Sequence, residues 1–152
     1  MNSNLIFMKQ LLFKSFIFLT GMQQACRQAE PVNWTEDQLE QPADLAGKID
    51  ENKNIPVIIN VGPGVIIPNS IDAGMASEPE GIQKFKHILS AYSKNTSIVI
   101  YCGCCPFDHC PNVRPAIDVL KQEGYTNFRL LNLPQNIRTD WIAKGYPTIK
   151  KQ

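Results

Sequence analysis

The apolar residues of this chain fall into short continuous runs that alternate with amphipathic segments. The continuous run over residues 56–61 is typical of a strand buried on both faces of a sheet, residues 97–101 predict a second buried strand, and residues 127–131 predict a third strand. Between them, residues 77–92 and 115–123 carry apolar positions at helical spacing. Ser77 with Pro79 provides a helix start for the first of these segments, and Gly124 provides a stop for the second.

Shorter helical segments flank this alternating core. Thr35, with Gln38 three residues later, predicts a helix start, and residues 43–51 and 136–144 predict two further helices. Residues 65–76 predict a loop with a short extended piece. Because strands and helices alternate three times, we predict an α/β fold with a mainly parallel central sheet flanked by helices. The site of such a sheet lies at the carboxyl ends of its strands.

The first 25 residues have the order of a bacterial export signal. Lys9 and Lys14 precede an apolar run at residues 16–19, and small and polar residues follow up to Cys26. The apolar run is too short to span a bilayer as a mature helix. We therefore predict an export signal over residues 1–25, a tether over 26–33 and one domain over 34–152.

A cysteine at this junction predicts lipoprotein processing, with a lipid on Cys26 that attaches the protein to a membrane. The expected location is the periplasm or the cell envelope. An uncleaved amphipathic N-terminal helix is the alternative.

Composition and charge narrow the range of functions. The chain has 152 residues, enough for one hydrophobic core, and its hydrophobic content of 43% is ordinary. The formal net charge is +1, and setting aside Lys9 and Lys14 leaves 13 basic against 14 acidic residues. There is no basic stripe in the sequence, so nucleic acid is not an expected partner.

Four of the five cysteines lie within nine residues directly after the second buried strand, namely Cys102, Cys104, Cys105 and Cys110. A loop that leaves a parallel strand and enters a helix presents backbone N–H groups, and these stabilise an anion such as a thiolate. Cys102, at the strand end, is therefore the predicted nucleophile. Arg114 is the predicted charge for an anionic substrate, and Pro115 is expected to keep Arg114 outside the helix.

Taken in order, these features resemble the rhodanese family of sulfurtransferases. The resemblance extends from about Trp34 to Thr148, and the residues that carry it are 57–61, Ile67-Pro68, 98–102, Arg114, Ala116, Gly124-Tyr125, Trp141 and 145–147. It implies a rhodanese-like fold that needs no cofactor. In that family a cysteine at the position of Cys102 takes sulfur from a thiosulfate-like anion, forms a persulfide and passes the sulfur to a thiol acceptor.

The sequence departs from the family pattern at three places. Eleven residues separate Cys102 from Arg114, where the family has a much shorter loop. Asn60 and Gly62 replace the usual Asp and Arg, and residues 133–136 replace a glycine pair. The number of residues between Cys110 and Arg114 is close to the number between the cysteine and the arginine in the family. Cys110 is therefore a competing candidate for the nucleophile.

The additional cysteines leave other uses open. Cys104, Cys105, His109 and Cys110 are alternative ligands for zinc or copper in a non-catalytic module that holds a metal or a partner, although ligands this close in sequence strain the backbone. In an oxidising compartment Cys110 is predicted to pair with Cys104 or Cys105, leaving Cys102 free. A disulfide that exchanges with Cys102 would make the protein a thiol–disulfide redox carrier.

Overall fold

The computed structural model describes residues 34–149, which form a five-stranded sheet with helices on both faces. The predicted export signal over residues 1–25 and the predicted tether over 26–33, which includes Cys26, lie outside the described residues, so the predictions for them stay predictions. Between residues 34 and 149 no helix is both long and apolar enough to cross a membrane.

The sheet is parallel throughout. Its strands are β1 (Leu39–Glu40), β2 (Val57–Asn60), β3 (Ser70–Asp72), β4 (Ile98–Tyr101) and β5 (Phe128–Leu131), in the spatial order β1-β5-β4-β2-β3. Each neighbouring pair runs in the same direction. β2, β4 and β5 confirm the three predicted strands. β3 is the extended piece expected within residues 65–76, and β1 is an edge strand that was not predicted.

The helices are α1 (Pro42–Asp50), α2 (Pro79–Leu89), α3 (Val113–Gln122) and α4 (Ile137–Asp140). Two 3₁₀ turns, Glu36–Gln38 and Ile142–Lys144, complete the set. The start predicted at Thr35 leads only into the first 3₁₀ turn. The predicted helix over residues 136–144 is divided at Trp141, which is fully buried and anchors this segment against the sheet.

Alternating side chains of β4 supply both halves of the core. Ile98 and Ile100 pack with the buried residues of α2 and α3 on one face of the sheet. Val99 and Tyr101 pack with α1 and with Trp141 on the other face. All four side chains of β4 are buried, as the continuous apolar run predicts for a central parallel strand.

The start of α3 corrects one prediction. The helix begins at Val113, so the expectation that Pro115 keeps Arg114 outside the helix is wrong. The first N–H groups of a helix have no partner within it, and a proline in the first turn therefore removes no helical hydrogen bond. Val113 is fully buried and holds this turn against the core. Arg114 thus belongs to the first turn of α3.

Candidate functional site

The cysteine segment leaves the middle of the sheet. β4 ends at Tyr101, Cys102 follows it directly, and α3 begins at Val113. We call residues 102–112 the cysteine loop. Since β4 lies between β5 and β2, this loop occupies the centre of the carboxyl edge of the sheet, which is where α/β sheets form their sites.

Backbone hydrogen bonds fold the cysteine loop back on itself. The N–H of His109 donates to the carbonyl of Pro106 at 3.1 Å, and the N–H of Cys110 donates to that of Phe107 at 3.4 Å. The Phe107 ring packs edge-on against Trp34, with 6.4 Å between the ring centroids. These turns bring the chain back to the sheet at Cys110, so the loop forms a small lobe with a fixed start and a fixed end.

The residues after β5 support the other side of the loop. The N–H of Phe107 donates to the carbonyl of Leu133 at 3.4 Å, and the N–H of Ile137 donates to that of Gly103 at 3.0 Å. A side chain on Gly103 would place its Cβ within 2.8 Å of Ile137 Cβ, so the two backbones pass closely. Residues 133–136, which replace the family's glycine pair, therefore lie against the enlarged loop.

The sulfur atoms of the loop converge at one point. The Sγ atoms of Cys102, Cys104, Cys105 and Cys110 all lie within 4.8 Å of one another, and we call these side chains the thiol cluster. Cys104 Sγ lies 3.3 Å from Cys102 Sγ and 3.2 Å from Cys105 Sγ. Cys102 and Cys110 are buried, Cys105 is partly buried and Cys104 is exposed. The cluster thus extends from the core to the surface.

The predicted site residues divide into two groups. All four cysteines come together as free thiols, and the disulfide predicted between Cys110 and Cys104 or Cys105 stays a prediction. His109 lies outside the sulfur group. Its side chain is 79% exposed, and its Nε2 atom lies 3.4 Å from Asp108 Oδ2. The alternative metal set that included His109 is therefore not the set that the fold brings together.

Asn112 connects the thiol cluster to the start of α2. Its Nδ2 donates to Cys102 Sγ at 3.5 Å, and its Oδ1 accepts from the backbone N–H of Ser77 at 2.9 Å. The residue is 3% exposed, so both bonds lie in a largely dry environment. Asn112 is not among the predicted site residues, because the predicted helix begins only at Pro115. Asparagine is common directly before a helix, which is the signal that could have identified it, although here its side chain makes no capping hydrogen bond to α3.

Backbone N–H groups near the entrance of α3 affect the ionisation of the two buried cysteines. The N–H groups of Asn112 and Val113 favour the thiolate of Cys110, and the N–H of Cys104 favours that of Cys102. The hydrogen bond from the Cys102 thiol, followed by these helix-entrance N–H groups, lowers the pKa of Cys110 to about 5 despite its burial. The contact with Cys110 and then burial raise the pKa of Cys102.

The two buried cysteines therefore have different protonation states. The pKa of Cys110 is lowered and that of Cys102 is raised, so the ionised form is favoured at Cys110 over Cys102. Burial, followed by contacts with Cys104 and Cys110, raises the pKa of Cys105 to about 12. From the sequence, the strand end and the helix amides are expected to act on one cysteine, Cys102. In the structure Cys102 follows β4, whereas Cys110 lies near the entrance of α3.

Gly62 allows the Cys102 side chain to reach its position. A Cβ atom added to Gly62 would collide with Cys102 Sγ. Asn60 fixes this turn, because its Nδ2 donates to the Gly62 carbonyl at 2.6 Å and to Asp72 Oδ1 at 3.2 Å. The two substitutions relative to the family pattern thus lie together beside the thiol cluster, where only a small residue leaves room for the sulfur.

Arg114 contacts the cysteine loop. Its guanidinium donates to the carbonyl of Asp108 at 3.3 Å. This bond links the tip of the cysteine loop to the first turn of α3. Arg114 thus has a structural role here, which is the alternative to binding an anionic substrate. The same side chain is the only lysine or arginine between residues 102 and 114.

Comparisons with known proteins show the fold. No protein-family model matches the sequence, and no curated protein matches it either. The solution structure of the rhodanese-like domain of an Anabaena sp. protein superposes with a TM-score of 0.53 at 15% identity, covering 75% of this chain and 80% of that one. A crystal structure of the same Anabaena protein gives a TM-score of 0.54 at 14% identity, covering 74% and 82%.

These similarities confirm the predicted fold class. This chain has a rhodanese-like α/β fold, with a parallel central sheet flanked by helices and a cysteine cluster at its carboxyl edge.

The pKa of Cys110 predicts an unusual pH dependence of alkylation. In reduced, chelator-treated protein the thiolate of Cys110 should persist as the pH falls towards about 5, since a lowered pKa keeps the ionised form at lower pH. We therefore expect the rate of iodoacetamide labelling at Cys110 to rise through about pH 5 and then to level off. Peptide mapping of quenched samples gives this rate. In denaturant the rise should move to about pH 8.5, and a native profile that matches the denatured one would contradict the assignment.

Proposed function

We propose that this protein is a sulfurtransferase or persulfide carrier that moves sulfane sulfur from a thiosulfate-like anion to a thiol acceptor. The observation that carries the proposal is the position of two buried sulfur atoms at the carboxyl end of β4 and the entrance of α3, in a rhodanese-like fold. A thiolate held there by backbone N–H groups is a nucleophile, and the same groups stabilise a persulfide anion formed on it.

The first half-reaction uses Cys110 as the nucleophile. Its thiolate attacks the outer sulfur of thiosulfate, a bond forms between the two sulfur atoms, and the sulfur–sulfur bond of thiosulfate breaks. Sulfite leaves with the electron pair of that bond. The N–H groups of Asn112 and Val113 donate to the attacking sulfur before the step, and they remain beside the persulfide after it.

The second half-reaction regenerates the thiolate. The thiolate of an acceptor attacks the outer sulfur of the Cys110 persulfide, and Cys110 leaves as the anion that the helix entrance stabilises. The acceptor keeps the transferred sulfur as its own persulfide, so no external oxidant or reductant is needed. Cys104, which is exposed, marks the side from which an acceptor approaches.

Cys102 and Arg114 support this chemistry. The Cys102 sulfur lies within 4.8 Å of that of Cys110, and in this proposal Cys102 is a positioning residue where the family pattern predicts the nucleophile. Arg114 attracts the anionic donor once its side chain leaves the Asp108 carbonyl. In this proposal the enlarged loop moves the reactive sulfur from the strand end to the helix entrance.

The test is the intact mass of reduced, chelator-treated protein after incubation with thiosulfate. We expect a gain of one sulfur atom, found at Cys110 by peptide mapping under non-reducing conditions. A subsequent excess of a small acceptor thiol should remove it. Protein that keeps its original mass while its thiols remain reduced and free of metal would overturn the proposal.

A further inference from the structure

We propose that the thiol cluster is also a binding site for one Zn²⁺ ion, coordinated by Cys102, Cys104, Cys105 and Cys110. Zinc bound to four thiolates is tetrahedral, with Zn–S bonds of about 2.3 Å, which places neighbouring sulfur atoms about 3.8 Å apart. The distances of 3.2 Å and 3.3 Å within the cluster, and the limit of 4.8 Å on all of them, span that value. Small sulfur movements therefore suffice to form the site.

The fold of the cysteine loop already brings together ligands that are close in sequence, which would otherwise strain the backbone. Adjacent residues in an extended chain direct their side chains to opposite sides. Cys104 and Cys105 are adjacent, yet their sulfur atoms lie 3.2 Å apart, so the loop is turned to present both to one point. The other two ligands are held by the scaffold, because Cys102 follows β4 and Cys110 precedes α3. Two ligands are thus fixed by the sheet and helix, and two are supplied by the loop.

Hydrogen-bond donors lie close to the sulfur atoms of the proposed site. A zinc ion with four thiolates carries excess negative charge, and N–H groups directed at the sulfur atoms compensate part of it. Asn112 Nδ2 donates to Cys102 Sγ at 3.5 Å, and Cys110 lies three residues before the first residue of α3, whose N–H groups have no partner within the helix. The exposed Cys104 gives an ion a route in from solvent.

The ligand set selects the metal. Four sulfur atoms disfavour magnesium and calcium, which prefer oxygen. A single compact tetrahedral group of four cysteines is the pattern of structural zinc sites, which keep no open position. The imidazole of His109 is 79% exposed and is not needed for the fourth ligand.

Zinc binding and sulfur transfer would compete for the same sulfur atoms. The zinc site rests on the positions of four sulfur atoms alone, whereas the competition also rests on the function proposed above. A zinc-loaded chain should not gain sulfur from thiosulfate, because no thiolate is free to attack.

The experiment titrates reduced, metal-free full-length protein with Co²⁺, then with Zn²⁺, in the absence of any sulfur donor. We expect one Co²⁺ per chain, with the intense visible bands of tetrahedral cobalt–thiolate coordination, and displacement of these bands by Zn²⁺. Since loss of an outer-shell partner alone lowers metal affinity about 10–100-fold, Cys104→Ser should lower the Zn²⁺ affinity at least about 100-fold. Cys104 is exposed, so this variant should fold, which far-ultraviolet circular dichroism checks.

His109→Ala is the matched control and should leave the cobalt spectrum and the Zn²⁺ affinity unchanged. The proposal is overturned by the weak bands of octahedral cobalt, by a Cys104→Ser protein with wild-type affinity, or by loss of binding in His109→Ala. Selective binding of Cu⁺ with no retention of Zn²⁺ would also overturn it. Because no thiosulfate is present, a failure here is separate from a failure of sulfur transfer, which is measured on chelator-treated protein.

Discussion

Replacing Cys110 by serine should reduce sulfur uptake from thiosulfate at neutral pH by at least about 100-fold. A serine hydroxyl is not ionised at this pH. The remaining buried thiol, Cys102, loses the contact with Cys110 that raises its pKa most, but its burial still disfavours the thiolate. An ordinary cysteine is only a few per cent thiolate at pH 7, and burial keeps the ionised fraction of Cys102 small. Release of sulfite by reduced, chelator-treated protein measures the rate of the first half-reaction.

Two further variants make this prediction specific. Cys104→Ser removes a thiol of the same cluster that no helix-entrance N–H group holds, and it should retain most of the sulfite release. Cys102→Ser should retain measurable uptake, because the amide donors to Cys110 remain. If Cys110→Ser releases sulfite at the wild-type rate while Cys102→Ser releases none, the strand-end cysteine is the nucleophile and the assignment to Cys110 is wrong.

Gly62→Ala should destabilise the fold and disturb the thiol cluster together. The added methyl group would collide with Cys102 Sγ, which lies in the core next to a fixed strand end. Overpacking of this kind costs about 1–3 kcal/mol of unfolding free energy. We expect a lower urea midpoint with an unchanged slope, and also slower sulfite release, because Cys102 can no longer hold its place beside Cys110.

Gly47→Ala is the matched control for this substitution. Gly47 lies within α1, and a Cβ atom there meets no atom within 4 Å. Alanine in a helix interior is favoured over glycine by about 0.5–1 kcal/mol, so this variant should be slightly more stable than the wild type and fully active. A Gly62→Ala protein with wild-type stability would show that the Cys102 side chain adopts another position.

The framework of the fold could be predicted from the sequence because its signals are local. The apolar runs that become β2 and β4 are continuous, and this pattern is typical of strands buried on both faces. In β5 the exposed Arg129 interrupts the apolar residues, but the segment follows a helix stop at Gly124 and is of strand length. β1 has only two residues, too few for any period to be visible. The true start of α3 was missed because Pro115 was taken to exclude Arg114 from the helix, although a first-turn proline loses no hydrogen bond there.

The arrangement of the thiols could not be predicted in the same way. The spacing of the cysteines does not say how the loop turns, and those turns depend on Phe107 packing against Trp34 and on the carbonyl of Leu133, both distant in sequence. The division of roles between Cys102 and Cys110 depends on where α3 begins. The role of Gly62 depends on contact with a neighbouring strand, which no local pattern contains.

The two ends of the cysteine loop are held separately by the sheet and by α3, and this affects how the length and sequence of the loop can change in such a domain. The conformational entropy lost on closing a loop grows only logarithmically with its length, by about 0.6 kcal/mol for each doubling. A longer connection between β4 and α3 therefore lowers the free energy of unfolding only slightly when both of its ends are already buried in the fold. New residues in such a connection can change the chemistry at the sheet edge while the strands and helices that fold the chain remain as they were.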